Sequence, residues 1–170
     1  MTVSKQKNLI LTHSEIEIKI NRMAWQILEK NYNATQIIII GIEQKGVIIG
    51  QLLSKELQKI SKLSIVSGTI KLSKDSPSID KIKLTCPADI ENNAVILVDD
   101  VLNSGKTLMY GTLPILAQNP STLQTAVLAN RDHTNFPVKA DFVGISLATT
   151  LQEHISFEQN KKGDMAVYLS

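Results

Sequence analysis

Apolar positions fall at helical spacing in the first third of the chain and in unbroken runs further on. Ser14-Glu15-Ile16-Glu17 fits a capping box, with Ser14 as N-cap and Glu17 reaching back to it. Ile16, Ile20, Ala24, Ile27 and Leu28 then recur at helical intervals, which predicts an amphipathic helix ending near Asn31. Thr35 to Ile42 (TQIIIIGI) is β-branched and does not alternate, as expected of a strand buried on both faces of a parallel sheet. Gly46 opens a second helix whose apolar face carries Ile49, Leu52, Leu53, Leu57 and Ile60. Leu63 to Leu72 reads as a strand. Ser73 to Asp80 is polar and turn-rich, and Lys81 to Thr85 reads as a returning strand, so a hairpin with a mobile tip is expected.

Ala94 to Val98 is a second buried run. A helix follows from about Gly105, which Pro114 must kink or end. Leu123 to Ala129 and Phe142 to Ile145 give two more strands, and the tail from Ile155 to Leu169 adds short ones. Strands alternating with helices imply an α/β fold: a doubly wound, mostly parallel twisted sheet flanked by helices. Ligands in such sheets sit beyond the C-terminal strand ends.

Composition narrows the class. The chain's 170 residues suit one domain, residues 1–170, and its 43% hydrophobic and 20% charged content is that of a soluble globular protein. The net charge of +2 gives no broad basic field of the kind a dedicated nucleic-acid binder shows. Cys86 is the single cysteine, which excludes an internal disulfide, and there is no Cys/His cluster for structural zinc. No apolar stretch approaches the roughly 18 residues of a membrane span, and no signal peptide is read at the N-terminus. A cytoplasmic location is expected.

The chemistry concentrates in AVILVDDVLNSGKTL, Ala94 to Leu108. Gly105-Lys106-Thr107 tempts a triphosphate P-loop reading, but that motif needs a glycine where Asp100 stands. Two adjacent carboxylates, Asp99 and Asp100, would repel a triphosphate. They suit sugar hydroxyls, which donate to carboxylates, and a magnesium ion that those hydroxyls chelate. The turn Asn103, Ser104, Gly105, Lys106 and Thr107 leads into a helix N-terminus, which suits a single phosphate monoester. Acid pair, turn and helix end together describe a site for ribose 5-phosphate.

VILVDDVLNSGKT resembles the phosphoribosyl-pyrophosphate (PRPP) signature of the type I phosphoribosyltransferases. The resemblance implies that the acids bind ribose hydroxyls and the turn binds the 5′-phosphate. It also implies a small hood beside the main sheet and a flexible β-hairpin lid. GIEQKGVIIGQLL, Gly41 to Leu53, resembles the family's pyrophosphate loop, with Gln44, Lys45 and Gly46 as contacts and a non-proline cis peptide. Lys74 and Asp75 resemble the lid. AVLANRDHTNFPVKADFVG, Ala126 to Gly144, is similar to the bifunctional pyrimidine-operon regulators, which are also uracil phosphoribosyltransferases. There Arg131, His133, Phe136-Pro137 and Lys139 match.

By the same resemblance Val101, Asn130, Leu151 and Gln152 lie on the base side, and Glu158 near an acidic residue that binds metal or pyrophosphate. Asn103 stands where the hypoxanthine/guanine enzymes have an Asp and the regulators usually a Tyr; an Asn cannot take a proton, which argues against the purine activity. The implied reaction joins a nucleobase, uracil favoured, to PRPP with Mg2+, giving a nucleoside 5′-monophosphate and pyrophosphate, with a possible regulatory role in pyrimidine biosynthesis. The alternatives are a nucleotide-sensing mRNA-binding attenuator with weak or no catalysis, and purine salvage. A homodimer or homotetramer is implied by resemblance alone.

Overall fold

In a computed structural model of the chain, residues 7–73, 75–150 and 152–170 are described. The first amphipathic stretch forms α1, His13–Lys30, which buries Ile16, Ile20, Met23, Ala24 and Ile27. Its capping box lies two residues earlier than the sequence implies. Thr12 is the N-cap: its backbone N–H donates to Glu15 Oε2 at 2.8 Å, and Glu15 N–H donates to Thr12 Oγ1 at 3.4 Å. Ser14 and Glu17 lie inside the helix instead. A short strand, β1 (Asn8–Leu11), runs up to Thr12 and fixes where the helix can begin.

The unalternated run becomes β2, Gln36–Ile42, and α2 follows at Lys45–Ile60. Next come β3 (Ser64–Lys71), β4 (Lys83–Thr85), β5 (Ala94–Leu102), α3 (Lys106–Leu116), β6 (Thr122–Arg131) and β7 (Phe142–Leu147). Strand order in the main sheet is β4-β3-β2-β5-β6-β7. All neighbours pair in parallel except β3 and β4, which form the expected antiparallel hairpin. The sheet is therefore doubly wound, with β2 and β5 at its centre.

Alternate residues of these two strands feed separate cores. Ile37, Ile39, Ile96 and Val98 face α1 and α2, where Ile16, Ile20, Ile49 and Leu53 complete the layer. Ile38, Ile40, Ile42, Val95 and Leu97 face the other way, against Leu108 and Ile115 of α3. Each fully buried isoleucine contributes about 1.5–3 kcal/mol, which is why four in succession can hold the sheet's middle.

Pro114 lies inside α3, and the helix stops two residues later at Leu116. Lacking an N–H, the proline cannot donate to the Tyr110 carbonyl, yet the ladder runs on to Ala117, whose N–H donates to Leu113 O at 3.1 Å, and a second part does not follow.

The tail forms β8 (Ile155–Gln159) and β9 (Met165–Leu169), and these make a second, antiparallel sheet with β1 in the order β1-β9-β8. Phe157 and Val167 of this small sheet pack into the same core as α1. No described helix is long and apolar enough to cross a membrane.

Candidate active site

The β5 strand does not stop at Val98. Its pairing with β6 continues through Asp99↔Val127 and Leu102↔Asn130, so the acid pair is part of the strand. Both carboxylates are buried, Asp99 with 2% and Asp100 with 6% of its surface exposed. Asp99 Oδ1 accepts the Asp100 backbone N–H at 2.9 Å. The N-terminus of α2 presses against this point: a Cβ on Gly46 would stand 2.6 Å from the Val98 carbonyl oxygen and 3.0 Å from Asp99 Cα. Only a glycine allows that approach, and it brings the positive end of the helix dipole beside a buried carboxyl group. The Glu43–Gln44 bond leading into α2 is cis.

Beyond β5 the chain turns into α3 through Gly105, whose φ of +84° is left-handed. A Cβ there would meet Val138 Cγ1 at 2.5 Å. Ser104 Oγ accepts the Lys106 backbone N–H at 3.3 Å, and Ser104 O accepts the N–H groups of Asn135 and Phe136 at 2.9 and 3.1 Å. The turn is thus backed by a loop that follows β6. Asn103 Oδ1 is buried and has no hydrogen-bond partner.

One cleft of about 620 Å³ gathers these groups. Gln44, Lys45, Asp75, Asp99, Asp100 and Val101 line it, as do Asn103, Ser104, Gly105 and Thr107. Gly46 lies behind the wall. Lys106, Asn130, Gln152 and Glu158 are outside the lining. Asn130 Nδ2 instead donates to Asp132 Oδ1 and Ser146 Oγ. Glu158 pairs with Lys7, and that bond holds its carboxyl below the usual range, with Lys45 adding a smaller effect. Lys74 and Leu151 lie outside the described residues.

Sequence reasoning missed Glu43, Leu72 and the rim His154, Ile155 and Ser156. No spacing signal could have found that rim, because the second sheet brings it to the cleft. Glu43 could have been noticed as an acid in a loop expected to meet pyrophosphate. It pairs with Lys71 at 3.5 Å. Among the described lining side chains, the cationic ones are Lys45 and, when protonated, His154.

No group of three or more His, Cys, Asp or Glu side chains able to cage a metal occurs among the described residues. Two adjacent carboxylates do fit magnesium held mainly by substrate oxygens and water, which is how that ion is commonly bound beside phosphates.

Residues 7–160 match the phosphoribosyl transferase domain. The chain belongs to this phosphoribosyltransferase family. Curated relatives named bifunctional protein PyrR cover most of it: that of Clostridium kluyveri is 32% identical over 164 residues, 91% of either chain. The one from Bacillus subtilis (strain 168) is 30% identical over 162 residues, 88% of each. This phosphoribosyltransferase therefore falls in the pyrimidine-regulator branch.

Solved structures agree on the fold. The hypoxanthine phosphoribosyltransferase of Trypanosoma cruzi superposes with a TM-score of 0.77 at 18% identity, covering 94% of this chain and 95% of that one. A hypoxanthine-guanine phosphoribosyltransferase from Bacillus anthracis gives 0.70 at 19% identity, covering 83% and 82%.

Proposed function

We propose that this phosphoribosyltransferase joins uracil to PRPP, giving uridine 5′-monophosphate and pyrophosphate. The observation that carries this reading is the buried acid pair of β5 and the Gly105 turn facing one cleft. The C1′–O bond to pyrophosphate breaks, and the ribose carbon becomes cationic before the base N1 closes on it. Asp99 and Asp100 hold the ribose hydroxyls. Ser104 to Thr107 and the start of α3 receive the 5′-phosphate through backbone N–H groups and hydroxyls. Gln44 and Lys45 meet the leaving pyrophosphate, with Gly46 setting how close their loop can come. Bound magnesium would neutralise part of the phosphate charge.

Positioning and fixed electrostatics of this kind account for most of the barrier reduction in such a reaction. The Ser73 to Asp80 hairpin, through Asp75, would cover the cleft and keep water from the cation. Asn103 cannot act as a base. The N1 proton leaves instead to water or to the departing pyrophosphate. Val101 borders the base. Residues 1–170 are read as one domain acting in the cytoplasm as a homodimer or homotetramer.

A second role, nucleotide-dependent mRNA binding, is supported by the word bifunctional in the relatives' names. Its mark would be an RNA affinity that rises with uridine monophosphate and falls steeply with salt. The catalytic reading is tested by supplying PRPP, magnesium and each of uracil, hypoxanthine, guanine, xanthine and adenine. Uracil should give product, and turnover of a purine in its place would refute the pyrimidine assignment. The double variant Asp99→Asn, Asp100→Asn should lose at least about a thousandfold in kcat/KM while unfolding normally. Normal turnover by that variant would show that the acid pair is not part of the machinery.

A further inference from the structure

The cleft wall divides by chemistry. Gln44 and Lys45 offer a cation and amide to an anion, Asp99 and Asp100 take hydroxyls, and the Gly105 turn offers N–H groups. The polar stretch of wall left for a flat base, beside apolar Val101, is the rim His154, Ile155 and Ser156. Ile155 is buried in the core and anchors the rim, while His154 and Ser156 are polar. Ile155 and Ser156 open β8, and the described residues just before the rim, 148–150, 152 and 153, belong to no strand or helix. Something else must fix where they lie.

Arg131, the last residue of β6, meets that need. Its Nε donates to Thr149 Oγ1 at 2.8 Å and a terminal nitrogen donates to Thr150 O at 2.7 Å. His133 Nε2 lies 3.1 Å from Thr149 O; a carbonyl only accepts, so this ring nitrogen is the donor. Thr149 is buried beneath the pair, with 7% of its surface exposed. Thr150 N–H in turn donates to Glu153 Oε2 at 2.6 Å, and that bond, with a smaller effect from the Arg131 charge, lowers the Glu153 carboxyl. His154 is then held at the sheet by its N–H to Ser170 O at 2.7 Å. The planar guanidinium fork suits two acceptors at a fixed separation better than an ammonium would.

We propose that Arg131, assisted by His133, is a positioning residue that sets the nucleobase side of the cleft, an inference resting on the phosphoribosyltransferase reading above. The loop it begins also supports the phosphate turn, through Asn135 and Phe136 to Ser104. The end of β6 and the short loop after it therefore tie down both the segment that leads to the base rim and the cradle for the phosphate.

The test compares Arg131→Met, Arg131→Lys and Thr149→Val with the wild type in steady-state kinetics and amide hydrogen exchange. Arg131→Met should raise KM for uracil about tenfold, as expected for losing charged hydrogen bonds. KM for PRPP should stay within about twofold, and exchange should quicken in residues 148–154 but not in β5. Arg131→Lys should recover part of the uracil affinity. Should Arg131→Met not fold, Thr149→Val removes only the Oγ1 acceptor and should raise KM for uracil about threefold. An unchanged KM for uracil overturns the proposal, as does an equal rise for both substrates. A wild type that turns over no base refutes the function instead, and the exchange rates of residues 148–154 alone then decide the role of Arg131.

Discussion

The carboxamide oxygen of Asn103 sits in the phosphate turn, buried and without a hydrogen-bond partner. Leaving a buried acceptor unmade costs about 1–3 kcal/mol, so this position is held at the expense of stability. The cleft lies beside it, and a ligand N–H would satisfy it. Asn103→Ala should therefore unfold at the same temperature as the wild type or above it, while KM for uracil or PRPP rises several-fold. Calorimetry with kinetics checks both arms, and a large loss of stability would show that the amide supports the fold instead. From the sequence, Asn103 stands out as a departure from both branches of the family. Its orphaned oxygen is invisible there, because burial of one atom depends on how β5, α3 and the loop after β6 converge.

Elements are held in register by polar ties at their ends. Asp141, just before β7, accepts the Thr125 N–H at 2.9 Å and the Lys30 ammonium at 2.8 Å, joining the end of α1 to the sheet. Burial pushes its carboxyl up, but the bonds from Lys30 and Thr125 outweigh this and leave it below the usual range. A depressed carboxylate adds stability above its unfolded pKa, and that stability is lost as pH falls through the folded value. Asp141→Asn should cost about 0.5–1 kcal/mol at pH 7, a figure discounted for its partial exposure, and much less in acid. Urea midpoints at both pH values would show it; an equal cost at both would mean the charge is not involved.

The buried strands β2 and β5 were legible because both faces need apolar residues, which leaves an unalternated run. The capping box was misplaced because Thr12 and Ser14 both make good caps. What chose between them was β1, four residues long and mostly exposed, whose pairing partner lies at the far end of the chain. No local pattern encodes such a pairing. The acid pair was legible as chemistry but not as strand, since Asp is depleted in strands and only pairing with β6 holds it there.

Across the whole molecule, the small sheet ties the described ends of the chain together. Asn8 pairs with Leu169, and Leu11 of β1 is buried in the core that also takes Phe157 and Val167. Removing residues 1–11 should lower stability by about 2–4 kcal/mol through lost burial and lost ladder bonds. Because β9 would lose one neighbour and β8 depends on β9, KM for uracil should rise as well. Thermal unfolding and kinetics of the shortened chain test this, and wild-type behaviour in both would show that β1 is dispensable. The same closure has a consequence for synthesis on the ribosome. The acid pair and phosphate turn emerge first, and the main sheet's strands can pair once residue 147 is out. The rim at residues 154–156 lacks its strand partner until residues 165–169 emerge and meet β1. A nascent chain thus holds the sugar and phosphate parts of its cleft before it holds the base side, and turnover must wait for β9 to pair.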